Sequence, residues 1–237
     1  MKSSFDLSDI KLSQATIEIR YPNAYILWDR AGVIWSKASS TWPNMKMGKA
    51  KPMVTSFLID GRYELSVKLD MAHLIDLNPT SSLKDFITNA DSFVTLVANT
   101  LDIKEFTRIG FRLIYNKRFK DKAEAATSLI AMKMINVPTG KHFNIEGKPL
   151  MPSYSVRWEG ESMGARVSLL AQDKKIELDV APGVEEITPV HIERSEILYD
   201  IDYYTLKNTA IGQLNFKEWI SEAYHVIKRD SNAFMGA

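Results

Sequence analysis

Asp200 and Asp202 stand two residues apart in the run Glu196–Tyr204, and Arg108 and Arg112 stand four apart in Phe106–Tyr115. Both runs alternate apolar and polar residues, so each charged pair projects from one face of a strand. Paired carboxylates on one face can hold Mg²⁺ or Mn²⁺, or do acid–base work. Arginines can grip carboxylates or phosphates. The more economical use of both is as cross-strand ion pairs on a solvated face. If the two strands pair, Arg108 and Arg112 meet Asp200 and Asp202, and these four are the candidate binding residues. Arg157 and Arg166 read in the same way in another hairpin. No catalytic residue is assigned.

A second type of chemistry is phosphate binding. Lys117-Arg118-Phe119-Lys120 mixes cations with an aromatic ring, and Lys46, Lys49 and Lys51 follow Trp42. Both stretches read as basic loops that could grip a nucleic-acid backbone, with Lys117, Arg118 and Lys120 as the contacts. The 30 basic residues are offset by 29 acidic ones, so no overall basic excess marks a dedicated nucleic-acid binder.

Other chemistries find little support. There are no cysteines, which removes thiolate nucleophiles and Cys-ligated metal. His73, His142, His191 and His225 lack ligand spacing to one another. His191 and Glu193 stand two apart, but a catalytic pair needs a third orienting group and a pocket. No Gly-x-Ser-x-Gly, Gly-x-Gly-x-x-Gly or P-loop occurs. We therefore expect no metal and no cofactor.

The elements that must position these residues follow from periodicity. Thr16–Tyr21 alternates as a strand. Trp28, Ala31, Trp35, Ala38 and Trp42 mark one face of a helix capped by Asn23, with the tryptophans in the core; a hairpin over Tyr25–Trp35 is the competing reading. Val54–Ile59 and Tyr63–Leu69 form a hairpin across Asp60-Gly61. Ser82 caps a long helix to Leu101. A strand over Phe106–Tyr115, a helix over Asp121–Ile135 with a capping box at Asp121 and Glu124, and a Pro/Gly-rich loop follow. Strands are then expected at Tyr154–Glu159, Ala165–Ala171, Lys175–Val180 and Glu196–Tyr204, and a last helix starts from Asn215. The order strand, helix, antiparallel strands, long helix occurs twice. The fold class is α+β: antiparallel sheet with helices on one face, in two similar halves, 1–102 and 103–237, sharing one compact unit.

Three segments together resemble a sporadically distributed family of uncharacterised bacterial and archaeal proteins of about this length. They are Ile17–Tyr21, Arg108–Asn116, and Ile197–Tyr204 with the C-terminal helix. The resemblance implies no established activity or cofactor. Its patchy distribution implies a tilt towards defence or toxin-control systems.

The 237 residues suffice for a substantial core. Met1–Asp9 lacks a signal-peptide core, and no apolar run is long enough to span a membrane. We expect a cytoplasmic, non-enzymatic interaction protein with a protein partner or a second copy of itself. The alternatives are a metal-dependent hydrolase or nuclease using Asp200 and Asp202, and a nucleic-acid-binding protein.

Overall fold

A row of β-branched and aromatic residues at period two builds the sheet, and the pattern of buried positions fixes which side the helices cover. A computed structural model of the chain describes residues 10–51, 53–80, 82–135, 144–145, 149–177 and 191–236. Met1–Asp9, His142 and residues 178–190, with the end of the expected strand Lys175–Val180, lie outside the described residues, as does most of the expected Pro/Gly-rich loop after residue 135. So do the side chains of His191 and Glu193.

The first half of the chain supplies β1 (Lys11–Arg20), α1 (Leu27–Thr41), β2 (Met45–Lys51), β3 (Val54–Ile59), β4 (Tyr63–Lys68), β5 (Met71–Asp76) and α2 (Lys84–Leu101). The second supplies β6 (Glu105–Phe106), β7 (Arg108–Phe119), α3 (Lys122–Ala131), β8 (Ser153–Glu159), β9 (Met163–Glu177), β10 (His191–Thr205), β11 (Thr209–Ala210) and α4 (Phe216–Gly236). Nine strands form one antiparallel sheet in the order β2-β3-β4-β5-β1-β7-β10-β9-β8, while β6 and β11 make a separate two-stranded ladder. The sheet is thus continuous across the two halves, joined where β1 pairs with β7. In each half a meander returns its last strand to the opening strand, with four meander strands in one and three in the other. That shared order does not establish a duplication.

Ile17, Ile19, Phe111, Leu113, Ile197, Tyr199 and Ile201 point to one side and are almost fully buried. Each buried aliphatic side chain of this kind stabilises the fold by about 1.5–3 kcal/mol. They meet Phe86, Phe93 and Val97 of α2, Ala125 and Leu129 of α3, and Ile220 and Ile227 of α4 in one core. The opposite face of the sheet carries the polar half of the alternation.

Several local expectations are corrected. The helix over α1 is present, but its buried face is Leu27, Ile34 and Ala38. Of the tryptophans only Trp42 is buried; Trp35 is half-buried against Phe57, and Trp28 is exposed. Neither Asn23 nor Ser82 is the residue preceding its helix; Ile26 and Leu83 are, without a side-chain cap. The expected basic loop after Trp42 is edge strand β2, whose lysines suit an edge that must resist pairing with other chains.

The basic stretch Asn116–Lys122 is likewise not a loop up to Phe119, because β7 continues through it. The break expected between the strands Ala165–Ala171 and Lys175–Val180, at Gln172-Asp173-Lys174, is absent: β9 runs unbroken from Met163 to Glu177. Asp173 is accommodated there by accepting a hydrogen bond from Ser195 at 2.7 Å. Elsewhere the signals hold. Asp60 and Gly61 both take positive φ in the β3–β4 turn. Asp121 accepts from the Glu124 amide at 2.9 Å, and Asn215 from the Glu218 amide at 3.3 Å. Phe234 packs back onto Tyr154, Trp158 and Tyr199. Among the described residues no helix is long and apolar enough to cross a membrane.

Candidate functional site: the helix-free face of the sheet

Strands β7 and β10 pair antiparallel, and the arginines and aspartates meet on the polar face, which no helix covers among the described residues. In register, Arg112 lies opposite Asp202 and Ile114 opposite Asp200. The ion pairs are nevertheless diagonal. Arg112 leans over Ile114 and holds Asp200 with two parallel hydrogen bonds, at 2.7 and 2.6 Å. The carboxylate raises the guanidinium pKa further above its ordinary value. Arg108 leans the same way and donates to Asp202 at 2.6 Å and to Glu18 of β1 at 2.9 Å. It can do so because Gly110 lies in its path: a Cβ there would stand 2.5 Å from the Arg108 Nη1.

Tyr204 closes this end of the face. Its ring lies under the Arg108 guanidinium at 4.6 Å, and its hydroxyl accepts from Arg157 Nε at 2.7 Å. Gly164, opposite Tyr204 in register, leaves room for the ring; a Cβ there would stand 2.6 Å from it. Arg157 in turn pairs with Glu159. Only Arg166, exposed on β9, has no partner at this end among the described residues. Burial raises the Asp202 carboxyl pKa above its ordinary value, against the pull of Arg108. The centre of the face is therefore a closed network in which each named carboxylate is engaged by a cation.

The far end differs. There β1 stops at Lys11 while β7, β9 and β10 run on, and the step encloses a groove of about 720 Å³. Arg118 and Gln172 flank Glu196 in register, and Lys174 lies opposite Arg194. Lys11 lies opposite Asn116, beside an irregularity between Leu12 and Gln14, where Ser13 donates to the Ile114 carbonyl at 3.0 Å. Alternation puts these side chains on the helix-free face.

Glu196 is 1% exposed. It accepts from Asn116 at 3.1 Å and Gln172 at 2.9 Å, and pairs with Arg194 at 2.8 Å. Arg194 is thereby fixed in the groove wall, and its buried Nε has no acceptor among the described residues. Lys11, Arg118 and Lys174 have no ion-pair partner among the described residues.

The expected phosphate contacts separate. Arg118 faces the groove. Lys117 also borders the groove, but it is aligned with Ile197 on the helix-covered side of the alternation, its ammonium 5.9 Å from the Phe119 ring. Lys120 is past the strand end, its amide donating to Glu124 at 3.0 Å. Lys11, Lys174, Arg194 and Glu196 were not singled out from sequence. Among the described residues no group of three or more His, Asp or Glu is placed to hold a metal ion. Comparison of the chain with protein-family models and with curated proteins finds no match.

Proposed function

We propose that this protein is a binding module without covalent chemistry of its own, and that it engages an anionic ligand on the helix-free face of its sheet. The observation that carries the reading is the uneven satisfaction of charge on that face. Asp200, Asp202, Glu18 and Glu196 are all engaged by arginines, whereas Lys11, Arg118 and Lys174 line a groove and have no ion-pair partner among the described residues. The hydrolase reading needs a carboxylate able to take a metal or a proton, and Asp200 and Asp202 are both spent on guanidinium groups. The formal charge of the chain is only +1, so attraction to anions arises from this local surplus.

Binding of mixed-length inorganic polyphosphate, followed by calorimetry, tests the reading. The affinity should fall about tenfold or more between roughly 50 and 200 mM salt. It should be lost in the triple variant Lys11→Gln, Arg118→Gln, Lys174→Gln. Absence of binding at low salt, or binding indifferent to the triple substitution, would overturn it.

A further inference from the structure

We infer that the groove at the Lys11 end of the sheet is a phosphate-recognition pocket for a small phosphorylated molecule of nucleotide size, an inference that rests on the anion-binding reading above. Three features narrow the ligand from any anion to this class. The first is size: about 720 Å³ falls within the range of small-molecule sites and accommodates one compact ligand.

The second is the donor set. Lys11, Arg118, Lys174 and Arg194 come from four different strands, β1, β7, β9 and β10, and converge on one cavity. Two are arginines, whose planar donors match phosphate oxygens. Glu196 neutralises one of the four, leaving a surplus of about three charges, close to the charge of a diphosphate at neutral pH. Glu196 acts as a positioning residue. Asn116 and Gln172 hold its carboxylate, which holds Arg194 Nη2 in the groove wall.

The third is the floor. Ile114, Leu198 and Leu77 offer apolar surface, with the amides of Gln14 and Asn78 beside them. A ring with polar edges, attached to the phosphate, suits such a surface. A nucleic-acid strand suits it less, because single strands are held by successive aromatic stacking platforms and the groove lining contains no aromatic residue among the described residues.

Calorimetric titration of the full chain with ATP, inorganic pyrophosphate, citrate and a single-stranded oligonucleotide tests the inference. ATP and pyrophosphate should bind one-to-one, about tenfold or more tighter than citrate. Arg118→Gln and Lys174→Gln should each weaken them about tenfold. Arg166→Gln, an equal loss of charge at the other end of the face, should change affinity less than about twofold. Thermal unfolding of the variants checks that they are folded; these side chains are exposed, and their midpoints should match the parent. If polyphosphate binds and responds to the triple substitution but pyrophosphate and ATP do not bind, the pocket is not for small phosphates and the broader reading stands. If citrate binds as tightly as pyrophosphate, the phosphate class is wrong. If the oligonucleotide alone binds, the face is a nucleic-acid surface. If nothing binds, both readings fall.

Discussion

The centre and the end of the helix-free face are built from the same residue types on the same strands, yet they treat charge in opposite ways. At the centre, Arg108, Arg112, Asp200, Asp202 and Glu18 satisfy one another. At the end, one largely buried pair, Arg194 with Glu196, sits beside three cations that have no ion-pair partner among the described residues. Mutual satisfaction makes the centre a scaffold. Bringing a ligand there would require breaking charge-assisted hydrogen bonds already made. At the end those bonds are not made, so an anion adds interactions without displacing any. The place to look for binding is therefore where the pairing stops, although the paired residues are more conspicuous in sequence.

The largest effect that would test this contrast is at Glu196. Replacing it with alanine leaves Arg194, whose side chain is only 17% exposed, without its counter-charge, and strips the acceptor from Asn116 and Gln172. Removing one partner of a buried ion pair costs about 3–5 kcal/mol. Urea unfolding of Glu196→Ala should show a loss of that order, with an unchanged m-value. A loss no larger than a surface substitution gives, within about 0.5 kcal/mol, would show that the buried pair does not organise this end of the face.

How much of this was legible beforehand differs between the two regions for physical reasons. The meeting of Arg108 and Arg112 with Asp200 and Asp202 follows from period-two alternation in two strands that pair, and alternation is a local signal. The lean of the arginines was not legible: Arg112 reaches one alternate position along to Asp200, and Arg108 reaches two to Asp202, past Gly110, which lies beside Glu18 across strands. The groove was less legible still. It exists because β7, β9 and β10 extend past the end of β1, and strand ends carry the weakest signals in a sequence. Gln172-Asp173-Lys174 has the composition of a turn, and only the Ser195 and Lys122 partners of Asp173 show why it stays extended. Glu196 reads as one more solvated acid on a polar face, since burial of a charge by neighbours on other strands leaves no mark in its own segment.

A smaller effect probes how tightly the centre is closed. Tyr204 lies across Gly164, and its ring cannot move aside without releasing both the Arg108 stacking and the Arg157 hydrogen bond. Overpacking of this kind costs about 1–3 kcal/mol, so Gly164→Ala should lower stability by about 2 kcal/mol in thermal or urea unfolding. Polyphosphate affinity should be untouched, because the groove is at the far end of β9. A variant as stable as the parent would mean the centre has slack. A variant that also loses polyphosphate would mean the two ends are coupled.

The smallest effect is the most discriminating, because it asks whether the paired charges at the centre hold the fold together at all. Asp202 makes a short ion pair with Arg108, yet its carboxyl pKa lies above the ordinary value. Burial is the largest cause, and Glu18 adds to it while Arg108 opposes it. Between the ordinary and the folded-state values, the folded protein therefore binds more protons at this group than the unfolded chain does. The group's stabilising contribution is full below about pH 4 and is lost as pH rises through the folded value. At neutral pH the charge on Asp202 is a net cost, even though it is paired. Asp202→Asn should then change stability by less than about 1 kcal/mol near pH 7, in contrast to the loss at Glu196. Relative to the parent, the variant should gain stability as pH rises from about 4 to about 7. Parallel unfolding titrations across that range measure the difference directly. The opposite trend, with the variant falling further behind as pH rises, would show that attraction to Arg108 outweighs burial and that the central network is a source of stability.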